Sequence, residues 1–388
     1  MTASTQTLVR RQSPRRRRLV VLAAAVAALA MLAAACGEDE DASAASDCEP
    51  GVGDGDLVFY NWVDYMDEDL LTKFTAETGI NVQYTTYESN EEMLEKVEEE
   101  AAIYDLVVPS DYMLATMRFD DLLLELNYDA IPNAANIGDE FQNPPFDPEH
   151  KYHVAFQWGT TGIGMTYDVL EELGGESTWA VIFDPEVAAL APGGISMLDD
   201  APETVSAALK YLGYSIADVF SGEYEDSEGA IREAGDLLRA TNARLVKYDS
   251  ATYGDDLVNG EVDVSHGWSG GFALSIDNAD AYDTHVYTIP KEGAVRWVDT
   301  MAIPHNANNV CSAHAMINFL TDAQNGAQLT NWTFYGSPNA AATPFVDAEI
   351  LGDPGIYPPP EVTERLELIP QAGERQVLIQ DQHSRAKS

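Results

Sequence analysis

The sequence predicts an α/β fold of parallel strands with helices packed on the sheet, divided into two lobes. Apolar strand-like runs alternate with amphipathic helical segments from residue 57 to 108, and a second unit of the same kind begins near residue 162. Such alternation requires parallel strands covered by helices. Roughly 335 residues follow the leading segments, which is enough for two lobes with separate cores.

The first 36 residues have the features of a bacterial export signal. Six arginines precede an apolar run from residue 19 to 35, and Cys36 follows directly. Residues 32–36 resemble a lipoprotein processing box that would acylate Cys36, although Leu32 lies one place further from the cysteine than is usual. The general and twin-arginine export routes both fit. An uncleaved anchor ranks second because the run is short for a bilayer. We therefore expect an extracytoplasmic protein, at the cell surface or in the periplasm, that is lipid-anchored to the membrane.

Acidic residues dominate the remaining chain. The sequence has 65 Asp and Glu against 21 Lys and Arg, and the export signal contains six of the basic residues and none of the acidic ones. The rest therefore has a net charge of about −50, which excludes nucleic acid as a partner and limits membrane contact to a lipid anchor. Most of this charge is expected on a solvated surface, as in adaptation to high salt.

Residues 37–55 are predicted to be an acidic tether between the anchor and the fold. They are small and acidic and have no apolar periodicity. Cys48 lies near the end of this tether, and Cys311 begins a predicted helix. In an oxidising compartment a disulfide between them is favoured over two free thiols.

The first unit alternates strands with helices. Its predicted strands are residues 57–61, 80–84 and 106–108. A helix begins at Asp67 and stops at Gly79, and Ser89 with Glu92 forms a capping box for the next helix. Ligands bind beyond the carboxyl ends of strands in such sheets. Three segments lie at those ends, namely 62–64, residue 87 and 110–112.

The second unit contains a further carboxylate pair at the end of a strand. The strand 195–198 leads to Asp200 and Glu203, which form a capping box with Pro202 in the first helical turn. A capping aspartate commits one oxygen to the backbone and can keep the other for a ligand. Later predicted elements are strands at 262–268 and 297–304, a helix containing 315–320 and a turn at 335–339.

A Trp-Val-Asp triplet occurs twice, at residues 62–64 and 297–299. Residues i and i+2 of a strand share one face, so each triplet is expected to present an indole and a carboxylate to the same place. An aromatic ring attracts an ammonium group, and a carboxylate adds a charge-assisted hydrogen bond. The recurrence favours a cation site over a core tryptophan beside a solvated aspartate.

Four segments resemble the bacterial spermidine/putrescine-binding proteins of polyamine ABC importers in order and spacing. They are residues 59–65, 87–91, 104–112 and 297–304. The resemblance spans about residues 55–345. It implies a two-lobed periplasmic-binding-protein fold, type II-like, whose chain crosses between lobes more than once and closes on a polyamine in the cleft. The lobes would comprise 56–161 with 299–342, and 162–298 with 343–388.

The resemblance also implies a set of ligand-binding residues. The aromatic walls of the family fall on Trp62, Tyr65, Tyr112, Trp268, Trp297 and Tyr335. Its carboxylates fall on Asp200, Glu203 and Asp299, and Ser110 contributes a hydroxyl. Asp64 matches a position that is often the longer glutamate. The family's glutamine near the C terminus has no clear counterpart, and the alignment places Ile369 there with Gln371 close by.

This set of side chains suits a polyamine, in which apolar methylenes join positively charged amines. Rings can enclose the methylenes while carboxylates bind the ammonium groups, roughly one for each buried charge. Three carboxylates favour spermidine, whereas putrescine fits better if Asp200 serves only as a helix cap. An ABC permease with its ATPase, a monomeric state and the absence of a cofactor or metal complete the expectation.

Two other functions remain open. A receptor for a quaternary ammonium compound such as glycine betaine would also use an aromatic cage, but its ligand donates no hydrogen bond to several carboxylates. A secreted hydrolase would use a carboxylate pair such as Asp200 with Asp299. The sequence has no phosphate loop and no metal cluster among its seven histidines to support catalysis.

The remaining aromatic residues and histidines are given structural roles. Trp158 is expected at the crossing between lobes, Trp179 and Trp332 in a helix or the core, and His266 in a strand with its hydrogen bonds satisfied.

Overall fold

The computed structural model describes residues 47–99 and 104–388. The predicted export signal, Cys36 and the tether up to residue 46 lie outside these ranges. Within them, every helix is too short or too polar to span a bilayer.

Strands and helices alternate along most of the described chain. The strands are β1 (Leu57–Trp62), β2 (Val82–Tyr87), β3 (Leu106–Val107), β4 (Val154–Thr166), β5 (Ile195–Met197), β6 (Leu245–Tyr248), β7 (Val264–Trp268), β8 (His285–Thr288), β9 (Ala294–Met301) and β10 (Leu366–Glu367). The helices are α1 (Glu68–Thr78), α2 (Asn90–Glu98), α3 (Asp111–Phe119), α4 (Tyr167–Glu172), α5 (Ala180–Phe183), α6 (Ala201–Leu212), α7 (Ile216–Ser221), α8 (Ser227–Asn242), α9 (Tyr253–Val258), α10 (Ser269–Asn278), α11 (Val310–Leu320), α12 (Ala323–Thr333), α13 (Ala348–Gly352), α14 (Pro360–Thr363) and α15 (Arg375–Ala386). Short 3₁₀ turns lie at 128–130, 132–136, 139–141, 188–190 and 340–345.

The smaller sheet has the strand order β2-β1-β3 and is entirely parallel. The predicted helix α1 is confirmed, with Asp67 as its N-cap and Gly79 as its left-handed C-cap. The second strand, at 82–87, lies later than the predicted 80–84. It pairs along the whole of β1, and its exposed polar residues obscure the alternation of apolar and polar residues that would have marked it in the sequence. The carboxyl ends of all three strands therefore meet at one edge.

The larger sheet is mixed. Its strand order is β10-β9-β4-β7-β5-β6, with β8 paired to β4. The predicted parallel pairing is present for β5 with β6 and β7, and for β9 with β10. Strand β4 runs antiparallel to β7, β8 and β9, which the expectation of parallel strands did not include.

Strands β4 and β9 form a long ladder within the larger sheet, and the end of β9 reaches the smaller sheet. Their antiparallel ladder runs from the pair Val154 and Met301 to the pair Thr161 and Val295. At the far end of β9, a bridge joins Asp299 to Ser110, which follows β3 of the smaller sheet. Asp299 therefore lies where the small-sheet lobe meets the large-sheet lobe.

The N-terminal segment is attached to the small-sheet lobe. Cys48 and Cys311 form a disulfide. The Asp54 carboxylate accepts hydrogen bonds from the backbone N–H groups of Cys311 and Ser312, at 3.1 and 3.0 Å. These contacts cap the first turn of α11, so the part of the acidic segment that follows Cys48 lies against the fold.

Two residues outside the cleft differ in their hydrogen bonding. Trp179 is a core residue whose Nε1 donates to the Gly293 carbonyl at 2.9 Å, as its predicted core role requires. The prediction that His266 has satisfied hydrogen bonds is wrong, because neither ring nitrogen has a partner among the described residues. Burial lowers the pKa of His266 to about 3, which keeps the imidazole neutral against the Trp179 ring.

Candidate binding cleft

A cleft of about 470 Å³ opens between the small-sheet and large-sheet lobes. All eleven side chains proposed as ligand contacts line it, namely Trp62, Asp64, Tyr65, Ser110, Tyr112, Asp200, Glu203, Trp268, Trp297, Asp299 and Tyr335. They come from both sheets and from helices α3, α6 and α12 or their ends. The fold thus brings together residues that are up to 273 positions apart in the sequence.

Asp299 lies on the buried floor of this cleft. Tyr65 Oη donates to its Oδ2 at 2.8 Å, and Ser110 Oγ donates to its Oδ1 at 2.6 Å. The Trp-Val-Asp prediction is correct for this triplet, because residues 297–299 are extended within β9 and both Trp297 and Asp299 face the cleft. Carboxylate oxygens have further lone pairs, so Asp299 can accept from a ligand as well.

The first triplet reaches the cleft in a different way. Strand β1 ends at Trp62, and Asp64 has a φ of 52°, in the left-handed region. The alternation of an extended strand therefore does not align these two side chains, contrary to the prediction. A turn places the exposed Asp64 at the rim, while Trp62 Nε1 donates to the Val108 carbonyl at 2.9 Å.

Asp200 and Glu203 form only half of the predicted capping box. Asp200 Oδ1 accepts from the backbone N–H of Glu203 at 3.0 Å and caps α6. The Glu203 side chain does not return to the cap but turns into the cleft. Its Oε1 accepts from Thr161 Oγ1 at 2.9 Å and from Trp268 Nε1 at 3.3 Å. Among the described residues its buried Oε2 has no hydrogen-bond partner.

Aromatic rings form the walls of the cleft. The Trp62 and Trp268 rings meet edge to face at 6.3 Å, one from each lobe. Tyr335 contacts Tyr65 and Trp297 with the same geometry, both at 5.2 Å between centroids. Ring faces that remain open to the cleft attract alkyl chains and cations.

Several cleft residues were missed from the sequence. Tyr253 and Asp255 line the cleft, and so does Trp332, which had been assigned to a helix or the core. Asp111 also lines it; the segment 110–112 was expected at the strand ends, but Asp111 was not among the predicted contacts. Trp332 does lie on α12, but its ring is exposed at the mouth. The small residues at 269–271 were a partial signal for Tyr253. A side chain at Gly271 would clash with the Tyr253 hydroxyl, so the absence of a side chain there makes room for this ring. Ile369, aligned with the glutamine of the family, also lines the cleft.

Burial disfavours the charged form of the carboxylates in the cleft. It raises the pKa of Asp299 to about 6, although hydrogen bonds from Ser110 and Tyr65 oppose the rise. Burial and the nearby charge of Glu91 raise the pKa of Asp200 to about 7.

The pKa values of two further buried carboxylates in the cleft are also raised. Burial raises the pKa of Asp111 to about 8. Burial, followed by the charge of Asp200, raises the pKa of Glu203 well above its ordinary value. No Lys, Arg or His among the described residues lines the cleft to neutralise these groups. The cleft therefore attracts a ligand that brings its own positive charges.

The described residues do not offer a metal site. No group of three or more His, Cys, Asp or Glu within them has an arrangement that could hold a metal ion.

The chain matches known bacterial binding proteins over most of its length. The family model described as bacterial extracellular solute-binding protein matches residues 69–356. A putrescine-binding periplasmic protein from Pseudomonas aeruginosa (strain UCBPP-PA14) is 35% identical over 324 residues, covering 81% of this chain and 86% of its own length. The spermidine/putrescine-binding periplasmic protein of Escherichia coli (strain K12) is 32% identical over 333 residues, covering 86% and 91%.

Solved structures give the same result at the level of the fold. A spermidine/putrescine ABC transporter substrate-binding protein from Streptococcus pneumoniae superposes with a TM-score of 0.70 at 30% identity. The match covers 86% of this chain and 100% of the pneumococcal chain. The two-lobed α/β architecture is therefore that of the periplasmic binding proteins.

Proposed function

The chain belongs to the bacterial extracellular solute-binding proteins, and from this membership we propose that it is the polyamine-binding component of an ABC importer. Its ligand would be spermidine or putrescine, held in the cleft between the lobes. An ABC permease and its ATPase would receive the loaded protein. This assignment places the folded domain outside the cytoplasm.

One observation supports the proposal most strongly, namely the buried carboxylates between aromatic walls. Asp299 and Glu203 retain oxygens that can accept further hydrogen bonds, and no basic residue in the described part of the cleft competes for them. A polyamine supplies an N–H donor and a positive charge for each carboxylate, and its methylenes match the ring faces. Each buried charge is then paired, which burial of ions requires.

The finer assignments follow from the same proposal. The ligand contacts would be the eleven predicted side chains, with Asp111, Tyr253 and Trp332 as additional wall residues. Acylation of Cys36 would anchor the protein to the membrane through the segment that precedes residue 47. We propose a monomer, because one chain supplies every group that the cleft uses.

Calorimetric titration with spermidine, putrescine, spermine and glycine betaine tests the function. We expect saturable binding of spermidine or putrescine at one site per chain, and no binding of betaine at the same concentrations. Betaine carries a positive charge but has no N–H group, so several cleft carboxylates would be buried without a donor. Tighter binding of betaine than of any polyamine would refute the proposal in favour of the quaternary-ammonium receptor.

The hydrolase alternative would use Asp200 and Asp299 as a catalytic pair. The relatives are named as binding proteins, and nothing in the cleft geometry favours a reaction over binding. Turnover of candidate glycosides by the purified protein would establish this alternative, and an unchanged substrate after prolonged incubation would argue against it.

Binding of a polyamine should weaken as the pH falls. The pKa of Asp299 is about 6 and that of Asp200 about 7 in the unliganded protein, and both must ionise to bind an ammonium group. Lowering the pH from about 8 to about 5.5 should therefore reduce spermidine affinity about tenfold or more. Calorimetry in two buffers of different ionisation enthalpy should detect proton release near pH 6.5.

The stability of the unliganded protein should show the opposite trend. Since the folded-state pKa of each Asp is raised, the native state binds more protons than the unfolded state, and this contribution to stability is lost as the pH rises through about 4 to 7. The increase in melting temperature caused by spermidine should thus be larger at about pH 8 than at about pH 5.5. Equal increases at both values would contradict the assignment of these carboxylates.

A further inference from the structure

Glu91 joins the small-sheet lobe to the C-terminal helix. It is the second residue of α2, and its Oε1 accepts hydrogen bonds from Gln376 Nε2 at 3.2 Å and from Gln380 Nε2 at 3.1 Å. The two glutamines are four residues apart, so both amides project from one face of α15. These two bonds connect residues 285 and 289 positions apart.

The two sides of this contact belong to different lobes. Helix α2 buries Met93 and Val97 in the core of the small-sheet lobe. Helix α15 packs against α6 and α8 of the large-sheet lobe, where the Gln382 side chain lies over Gly235. A hydrogen bond from α15 to Glu91 therefore crosses from one lobe to the other beside the cleft.

The same contact is connected to the floor and wall of the cleft. Asn90, adjacent to Glu91, donates from Nδ2 to Tyr112 Oη at 3.0 Å and to Ser110 Oγ at 3.1 Å. Ser110 in turn donates to Asp299. Any movement of the start of α2 therefore displaces Tyr112 and a hydroxyl that binds the carboxylate of Asp299.

Glu91 is also electrostatically coupled to the ligand site. Burial raises the pKa of Glu91, while hydrogen bonds that include those from Gln376 and Gln380 oppose the rise. Next to burial, the charge of Glu91 is the largest cause that raises the pKa of Asp200. An ammonium group beside Asp200 would therefore favour ionised Glu91, and an ionised carboxylate is the stronger hydrogen-bond acceptor.

We propose that Glu91 is a positioning residue that clamps α15 of the large-sheet lobe to α2 of the small-sheet lobe over a bound polyamine. The proposal rests on the function proposed above and adds a determinant of ligand release. The clamp contacts no part of the ligand in this scheme. It must open before the lobes separate, so it acts on the dissociation rate more than on the association rate.

The test replaces the two donors and leaves the ligand contacts intact. In the full chain, Gln376→Ala combined with Gln380→Ala should increase the spermidine dissociation rate about five- to tenfold. The association rate should stay within about twofold of wild type, because the ligand enters the open cleft. Stopped-flow tryptophan fluorescence measures both rates, since Trp62, Trp268 and Trp297 line the cleft.

A matched control uses the exposed face of the same helix. Val377→Ala combined with Ser384→Ala changes two exposed side chains of α15 that make no contact with Glu91, and should leave both rates unchanged. Glu91→Ala should also accelerate dissociation. Combined with the two glutamine substitutions, it should accelerate dissociation less than the product of the separate effects, because the three groups act as one unit.

The outcomes separate this inference from the proposed function. If wild type binds spermidine and the glutamine variant releases it at the wild-type rate, the clamp is refuted and the function stands. An equal acceleration in the Val377 and Ser384 control would refute the clamp as well, because the effect would be a general loosening of α15. If wild type binds no polyamine by calorimetry, the proposed function itself fails.

Discussion

Replacement of Asp299 by Asn should reduce spermidine affinity roughly 100-fold to 1,000-fold. The substitution keeps the size of the side chain but removes the charge on the floor of the cleft, so a buried ammonium group loses its ionic partner. Loss of one member of a buried, hydrogen-bonded charge pair costs about 2–5 kcal/mol of binding free energy. Because Tyr65 and Ser110 both donate to the carboxylate, the amide also disturbs two hydroxyls of the wall.

Two control variants test whether the loss of affinity is specific to the position of Asp299. Asp347→Asn makes the same chemical change at an exposed position outside the cleft, where the side chain caps no helix N–H, and should leave affinity unchanged. Trp179→Phe perturbs the core and should lower the melting temperature more than it lowers affinity. Calorimetry and thermal melts of all three variants provide the comparison. Equal affinity losses for Asp299→Asn and Trp179→Phe would mean that the site is misplaced.

Glu203→Gln should change stability and affinity in opposite directions. In the unliganded protein Glu203 is buried, and its Oε2 has no hydrogen-bond partner among the described residues. The pKa of Glu203 is raised in the folded state, so ionisation of this side chain destabilises the fold. The loss of stability occurs as the pH rises from the ordinary glutamate pKa toward the raised value. The neutral amide avoids this cost, so the unliganded variant should melt at a higher temperature than wild type at about pH 8.

The same variant should bind spermidine about 100-fold more weakly, since glutamine cannot neutralise an ammonium group. Thermal melts with and without spermidine measure both effects in one experiment, because the shift caused by the ligand follows its affinity. A variant that is less stable and binds as tightly as wild type would show that Glu203 is a structural residue. Asp200→Asn is unsuitable as its control because Asp200 also caps α6.

Much of the fold was predictable because its causes are local. The helix α1 begins and ends at the residues whose side chain or backbone freedom caps it, Asp67 and Gly79. The cap at Ser89 is also present, with Ser89 Oγ accepting from the Glu92 N–H at 3.1 Å. Its second half differs, because Glu92 accepts from the N–H of Glu88 one residue earlier than predicted. Such caps depend on neighbours within four residues, which the sequence displays directly.

Part of the site could also be predicted from the sequence. The second Trp-Val-Asp triplet lies in a regular strand, so alternation alone placed Trp297 and Asp299 on one face. The same rule failed at Trp62 and Asp64, because the strand ends between them. The position of a strand end depends on pairing with β2, which is a contact with another segment.

By itself, the sequence indicated the alternation of strands and helices, several of the residues that cap the helices, and, through the Trp-Val-Asp triplet of β9, a site for a cation. Only the tertiary structure decided that Glu203 leaves its capping box for Thr161 and Trp268, and that Glu91 meets the C-terminal helix. Local elements follow from neighbouring residues. A cleft between lobes depends on contacts between residues far apart in the sequence. The pairing of β4 with β9 and the hydrogen bonds of buried polar groups decide which of those residues meet.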